Sequence, residues 1–207
     1  WDSVQNLAKQ EILALSEGSQ AEPDDALVEA MAVAIRGAVD DPAFASLLTR
    51  LPDVGELFQE RQPADPVALN TARKKLQAAL YSKLSDFVDD ILAKSSPEPY
   101  DPGAEQAGER ALRTALINLL AASGHDEAGE RLLGLYNAAT NMTEKLAALR
   151  GLAGLEGAAR ETALADFERT WKSNPLVMDK WFGVQAGTGD AATVSKLAAH
   201  PDFDMGN

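Results

Sequence analysis

The sequence predicts an all-α fold built from stacked antiparallel helix pairs. Alanine and leucine dominate the chain, whereas the alternation of β-branched residues that is typical of strands is missing. Apolar residues recur three and four positions apart, and short connections rich in helix breakers separate the periodic segments. Consecutive short helices with tight connections favour helix pairs that lie side by side. Since no strict repeat is visible, we expect an irregular α-solenoid of the HEAT or armadillo kind.

Five helices are predicted in the first half of the chain. The first begins at Asp2 or Ser3, and the second begins at Asp24 or Asp25, because these side chains can cap a helix. An acidic residue followed by proline begins the third, and Asp53 begins a short fourth helix. The residues expected to be buried in these four helices are Val4, Leu7, Ala8, Ile12, Leu15, Leu27, Met31, Ala34, Ile35, Ala38, Phe44, Leu47, Leu48, Val54, Leu57 and Phe58.

The fifth predicted helix is the longest, from Asp65-Pro66 to about Lys94. Its apolar residues step four positions at a time, and at 1.5 Å per residue it would extend on the order of 40 Å. Several neighbouring helices are needed to cover such a rod. The stripe consists of Leu76, Leu80, Leu84, Val88 and Leu92.

The clearest break in the chain lies at 95–103, where three prolines keep the backbone extended or turned. We interpret it as a long loop inside a single helical domain, 1–207. The alternative is a boundary between an N-terminal helical bundle, 1–94, and helix pairs in 104–207. Because the sequence begins at Trp1 without a methionine and stops at Asn207, we expect it to be a fragment of a longer protein.

After the break, helices follow at nearly regular intervals. One ends near Gly124, the next covers Asp126 to about Tyr136, and a third begins at Asn141, where Glu144 has the spacing of a capping box. Two aromatic helices come next, and a last helix follows the turn at 187–190.

The two aromatic helices meet at Ser173-Asn174. Ala163, Phe167 and Trp171 share one face of the first helix, whereas Asn174-Pro175 begins the second. On the second helix, one face carries Met178, Trp181, Phe182 and Gln185. We expect the two faces to be buried against each other as a packed core, with Lys172 and Lys180 in solvent.

Composition and charge exclude several classes of partner. With 19 Lys and Arg against 32 Asp and Glu, the net charge is −13, which disfavours nucleic acids and anionic membrane surfaces. Cysteine is absent, so disulfides and thiolate metal sites are excluded. No apolar run approaches the roughly 20 residues that a membrane span needs.

No catalytic, cofactor-binding or metal-binding residues are predicted in this chain. His125 and His200 are far apart in the sequence, and we interpret them as residues of a helix N-terminal turn and a helix C-terminus. The turn at 187–189 lacks the lysine of a phosphate loop, and Asn141 fits both a glycosylation sequon and a helix cap. The acidic pairs are expected at caps, in loops or on solvated helix faces, and they are Asp24-Asp25, Asp40-Asp41 and Asp89-Asp90.

One segment resembles a known family. Asn-Pro-Leu-Val-Met-Asp-Lys-Trp-Phe at 174–182 is similar to a signature of the C-terminal helical domain of bacterial aminopeptidase N, a zinc metalloaminopeptidase. The resemblance is co-linear over nearly the whole chain. It extends to Trp1-Asp2, Asn141-Met142-Thr143, Leu146-Ala147-Ala148-Leu149, His200-Pro201, Phe203, Met205 and Asn207.

The resemblance implies a non-catalytic segment that forms scaffold and wall over the active-site chamber of a bacterial cytoplasmic enzyme. That enzyme would remove N-terminal amino acids from peptides, and its zinc would lie in the catalytic domain of the same chain. The His-Glu-x-x-His and Gly-x-Met-Glu-Asn motifs of the family are absent here. The alternative is a free-standing helical-repeat module for protein interaction, and an enzyme that uses the acidic residues is the least favoured hypothesis.

Overall fold

The computed structural model describes residues 1–60, 63–94 and 99–206, and these residues form α-helices without a strand. The all-α prediction is confirmed. The helices are α1 (Asp2–Ser16), α2 (Asp25–Gly37), α3 (Pro42–Thr49), α4 (Val54–Gln59), α5 (Pro66–Leu92), α6 (Ala104–Ala122), α7 (Ala128–Ala138), α8 (Met142–Ala153), α9 (Ala158–Trp171), α10 (Pro175–Ala186) and α11 (Ala191–Ala198).

Most helices begin where a capping side chain was predicted. Asp24 caps α2, and Asp41 caps α3 through bonds from the backbone N–H three residues ahead. Asp53 and Glu56 form a complete capping box at α4. Asp65 accepts two backbone N–H groups at the start of α5, which is the longest helix, as expected.

The chain divides into two compact units, Trp1–His125 and Asp126–Asn207. This division does not coincide with the predicted break at 95–103, of which residues 95–98 lie outside the described part of the chain, as do 61–62 and Asn207. Helix α6 follows that break but packs against α3 and α5. The helices on both sides of the break therefore belong to one unit, and the single-domain interpretation stays a prediction.

Helix α5 is the centre of the first unit. It contacts α1, α2, α4 and α6, and each residue of its predicted stripe is buried. Arg113 of α6 binds the C-terminal end of α5. Its guanidinium donates to the carbonyl oxygens of Ile91 and Lys94 at 2.8 Å each. At Gly108, a Cβ atom would lie 3.2 Å from the backbone nitrogen of Ala43, so glycine lets α6 approach α3 closely.

In the second unit each helix packs against the next one along the chain. Contacts join α7 to α8, α8 to α9, α9 to α10 and α10 to α11, and further contacts join α7 to α9 and α8 to α10. This pattern is typical of a helical repeat stack, in which each element contacts its near neighbours. Gly157, with φ of +110°, occupies the turn between α8 and α9.

The predicted buried faces are wrong at several positions of the first unit. Leu7, Phe44, Leu47 and Phe58 are exposed by 40 to 48%, although the sequence pattern placed them in the core. Their helices bury other residues, such as Ala8 and Ile12 in α1 and Ala45 and Leu48 in α3. In α2 the buried set is Val28, Met31, Ala32 and Ile35.

Candidate functional site

The segment 174–182 forms the start of α10 and carries the densest aromatic packing of the second unit. Asn174 caps the helix and Pro175 occupies its first position, as predicted. Met178, Trp181 and Phe182 are buried, whereas Lys180 is exposed. The segment that carries the family resemblance is therefore a helix start followed by a core-forming face.

Trp181 joins α10 to α9. Its indole N–H donates to the carbonyl oxygen of Leu164 at 2.9 Å, and its ring packs on Phe182 at 5.1 Å between centroids. Phe167 on α9 is fully buried, and Trp171 is half-buried beside it at 6.3 Å. The expected burial of two aromatic faces is confirmed, with Trp171 at its edge.

His200 completes the aromatic cluster from a position just after α11. Its ring lies 5.4 Å from each of the rings of Trp181 and Phe182, and Nε2 lies 3.3 Å from Glu168 Oε1. Nδ1 accepts the backbone N–H of Asp202 at 3.2 Å. Both ring nitrogens are thus engaged in holding the end of the second unit in place.

His125 lies in the first unit and is exposed. Its ring meets the edge of Tyr81 at 5.3 Å, and it precedes α7 instead of lying within that helix's first turn. Across residues 1–60, 63–94 and 99–206, no three His, Asp or Glu side chains come together in a way that could hold a metal ion.

The acidic pairs lie where the sequence placed them. Asp24 and Asp41 are helix caps, and Asp25 pairs with Lys83 at 2.8 Å between Asp25 Oδ1 and Lys83 Nζ. Asp89 and Asp90 lie on the exposed side of α5. All three pairs are exposed, and Asp24, Asp25 and Asp41 have structural roles as helix caps or in an ion pair.

The remaining sequence features are also structural. Asn141 caps α8, because its Oδ1 accepts the backbone N–H of Glu144 at 3.0 Å. The glycine turn at 187–189 joins α10 to α11, as predicted. Lys172 is exposed beside Trp171.

A buried tyrosine that the sequence did not single out connects three helices of the second unit. Tyr136 on α7 donates its hydroxyl to Asp166 on α9 at 2.9 Å, and Asp166 also pairs with Arg169. Lys145 on α8 places Nζ 4.1 Å from the centre of the tyrosine ring. Burial, followed by the hydrogen bond to Asp166, raises the pKa of Tyr136.

We expect Tyr136→Phe to make the stability of the second unit less sensitive to alkaline pH. A tyrosine in the unfolded chain ionises near pH 10, whereas the raised pKa keeps Tyr136 neutral in the folded chain. Because the unfolded state releases its proton first, the free energy of unfolding falls as the pH rises above about 10. Near neutral pH, the variant loses about 1 kcal/mol with the Asp166 hydrogen bond. Urea unfolding at a series of pH values tests both effects. Tyr100→Phe removes an exposed phenol as the control, and an equally steep alkaline fall in Tyr136→Phe would contradict the prediction.

A groove in the first unit was also missed by the sequence patterns. It lies between α1 and the connection from α3 to α4, encloses about 350 Å³, and is lined by apolar side chains that include Trp1 and Leu47. Its charged residues are Lys9, Arg50, Glu56 and Glu60. The sequence of α3, Pro-Ala-Phe-Ala-Ser-Leu-Leu-Thr, could have indicated it. This helix is apolar on all sides, so some of its apolar residues must stay outside the core.

Comparison with known protein families defines the class. The family DUF3458_C, described as a domain of unknown function with ARM repeats, matches residues 1–207. The chain belongs to this family. An ARM-repeat description agrees with the stacked helices and with the solenoid predicted from the sequence.

Similar proteins carry a more specific name. Aminopeptidase N of Caulobacter vibrioides is 36% identical over 215 aligned residues, and aminopeptidase N of Escherichia coli is 31% identical. Each alignment covers 100% of this chain and 25% of the relative. The chain therefore spans about a quarter of the length of the curated relatives that it matches.

A solved structure agrees with the same assignment. Legionella pneumophila aminopeptidase A, crystallised in complex with aspartic acid, matches with a TM-score of 0.79 and 25% identity. The match covers 98% of this chain and 25% of the other. The resemblance to the helical domain of an aminopeptidase is confirmed. Among the described residues, no helix is both long and apolar enough to cross a membrane.

Proposed function

We propose that residues 1–207 are a non-catalytic part of the C-terminal helical domain of a zinc aminopeptidase. In this role the helices form scaffold and wall over the active-site chamber of a cytoplasmic parent enzyme that removes N-terminal amino acids from peptides. The observation that carries the proposal is that the entire chain matches about a quarter of the length of proteins named aminopeptidase N.

The residues that the structure describes do not fit a catalytic zinc site. Such a site takes three protein ligands, and the described residues offer no group of three His, Asp or Glu side chains that could hold a metal ion. His200 is packed against aromatic rings and hydrogen-bonded through both nitrogens, so it has no free lone pair for a metal. The zinc of the parent would therefore be held by its catalytic domain, outside these residues.

A helical stack is suited to the role of a wall. Helices that pack on their neighbours along the chain leave no open sheet edge, so the surface that they present is rigid and does not pair with an extended peptide. The net charge of −13 would favour peptides with a positively charged N-terminus near this wall. The partners of the domain are then the catalytic domain of the same chain and the peptide substrates.

The proposal is tested with the full-length parent and with residues 1–207 alone. We expect the parent to contain zinc and to cleave an aminoacyl chromogenic substrate, whereas residues 1–207 do neither. Zinc at one equivalent, or peptide-bond hydrolysis, in residues 1–207 alone would overturn the non-catalytic assignment. A His-Glu-x-x-His motif in the coding sequence outside these residues is expected as well. Its absence would favour the free-standing interaction module, with which the ARM-repeat description is also compatible.

The wall is tested by substrate size. If helices restrict entry to the chamber, the parent should remove the first residue of a short peptide much faster than the same residue at the start of a tightly folded protein. An unstructured polypeptide with the same N-terminal sequence is the matched control. Equal rates on the short peptide and on the folded substrate would mean that no wall restricts entry.

A further inference from the structure

We infer that a pocket in the first unit, beside the C-terminal end of α5, binds a free α-amino acid with an apolar side chain. The carboxylate of the ligand pairs with Lys94, its ammonium group pairs with Glu109, and its side chain lies against the apolar walls. The inference goes beyond the proposed function and does not rest on it, because the residues that carry it belong to the first unit.

The pocket lies where three parts of the first unit meet. These are the end of α5, one face of α6, and the connection from α2 to α3 with the first residue of α3. The pocket encloses about 310 Å³, at the lower end of the roughly 300 to 1,000 Å³ that is usual for small-molecule sites. The space therefore suits a small molecule better than a length of polypeptide. Its apolar walls are Val39, Pro42, Ile91 and Leu112.

The carboxylate of Glu109 is the group that most needs a ligand. Glu109 is half-buried on α6, beside the buried Leu112. It makes no hydrogen bond or ion pair with any residue that the structure describes. A carboxylate that is partly removed from water without a partner loses hydration that nothing replaces. An ammonium group in the pocket would supply the missing partner as a charge-assisted hydrogen bond.

Positive charge lines the same pocket. The side chain of Lys94 makes no hydrogen bond or ion pair within the described part of the chain, and hence none with Glu109. Arg113 donates to the carbonyl oxygens of Ile91 and Lys94, which offsets the negative end of the α5 dipole. A carboxylate bound here would meet cations instead of bare carbonyl oxygens. Because Lys94 and Glu109 do not pair with each other, a ligand that carries both charges can join them.

An apolar amino acid fits this set of groups better than other ligands of similar size. A phosphate or another simple anion would be repelled by Glu109, and a simple amine would be repelled by Lys94. A purely apolar molecule would cover both charges without pairing them. A metal ion is disfavoured, because the described residues offer no group of three His, Asp or Glu side chains that could hold one. A zwitterion with an aliphatic side chain satisfies both charges and the apolar walls.

Photolabelling of the full-length parent with a diazirine analogue of L-leucine tests the inference. Mass spectrometry identifies the labelled peptides, and we expect label on those that contain Ile91 or Leu112. Glu109→Gln and Lys94→Gln each remove one charge that the ligand needs. Labelling of these peptides should fall about tenfold in each variant, as expected for the loss of one hydrogen bond to a charged group.

Two matched variants control for the loss of charge alone. Glu105 on α6 and Lys74 on α5 are exposed and do not line the pocket. Glu105→Gln and Lys74→Gln should therefore leave the labelling unchanged. An equal fall in all four variants would mean that the label follows the net charge of the surface, and the inference would be wrong.

Competition with unlabelled compounds identifies what the pocket recognises. L-Leucine should remove the label from the pocket peptides. Isocaproic acid lacks the ammonium group, isoamylamine lacks the carboxylate, and L-glutamate lacks the apolar side chain, so each should compete about tenfold more weakly. The inference fails if any of the three competes as well as L-leucine, or if the pocket peptides carry no label.

Aminopeptidase activity and zinc content are measured on the same preparation. An active zinc enzyme without label in the pocket removes the inference and leaves the proposed function intact. A zinc-free, inactive parent that is labelled in the pocket removes the proposed function and leaves the amino-acid site intact.

Discussion

Replacement of Trp181 by alanine is expected to lower the free energy of unfolding of the second unit by about 3 to 5 kcal/mol, the usual cost of emptying a large aromatic site in a core. Trp181 is 6% exposed, and it contacts both the Phe182 ring and the His200 ring. Its indole N–H also donates to Leu164 on the neighbouring helix. One substitution therefore removes packing and the bond that joins α9 to α10.

Two further variants separate these contributions. Trp181→Phe keeps an aromatic ring but loses the hydrogen bond to Leu164, so a smaller cost is expected, with the bond itself contributing about 1 kcal/mol. Trp171→Ala is the matched control, because Trp171 is a half-buried tryptophan in the same unit. Urea unfolding followed by far-ultraviolet circular dichroism gives the three free energies. If Trp171→Ala cost as much as Trp181→Ala, the central role of Trp181 in this core would be wrong.

Helix positions could be predicted from the sequence because the signals that start a helix are local. Asp24, Asp41, Asp53 and Asp65 each stand directly before a helix and accept a backbone N–H two or three residues ahead. The bonds form between residues close in the chain, so residue type and spacing are sufficient to find them. The four-residue stripe of α5 was predictable for a similar reason, since a long helix averages over local irregularities.

The buried face of a short helix was harder to predict. Helix α3 carries apolar residues on all sides, so periodicity cannot decide which side faces the core. Phe44 and Leu47 are exposed and Ala45 and Leu48 are buried, in a helix that packs against both α2 and α6. Which face is covered depends on contacts between helices far apart in the sequence, as with α3 and α6 across about sixty residues.

The boundary between the two units also depends on contacts between helices that are far apart in the sequence. The proline-rich stretch at 95–103 carries the strongest local breakers, but α6 beyond it packs on α3 and α5. The weaker signal at Gly124, where φ is +73°, marks the position beside which the units divide. Local composition thus shows where a helix ends, but it does not show where a packed unit ends.

The candidate sites also differ in whether their residues are close together in the sequence. The segment 174–182 could be recognised because its residues are consecutive and resemble a family signature. By contrast, Tyr136 and Asp166 are 30 residues apart, and His200 and Glu168 are 32 residues apart. No spacing rule joins such pairs before the fold is known. The groove at Trp1 and Leu47 required the fold for the same reason.

The second large effect is expected from Gly189→Ala, which we predict to destabilise the second unit by about 1 to 3 kcal/mol, the usual range for an overpacked site. An added Cβ would lie 2.6 Å from Thr193 Cβ and 2.9 Å from the carbonyl oxygen of Gln185. Thr193 cannot move away easily, because its backbone N–H and its hydroxyl both donate to Asp190 Oδ1, at 2.8 and 2.9 Å. These bonds, led by the backbone N–H, lower the pKa of Asp190 and cap α11.

Gly183→Ala is the matched control for this prediction. Gly183 lies inside α10, and an added Cβ there would meet no heavy atom within 4 Å. Alanine should therefore stabilise the helix by about 0.5 to 1 kcal/mol relative to glycine. If urea unfolding shows that Gly189→Ala lowers the free energy of unfolding and Gly183→Ala raises it, the cost of Gly189→Ala arises in the α10–α11 turn. A neutral Gly189→Ala would instead mean that the turn opens without loss, and that the bonds to Asp190 do not hold Thr193 in place.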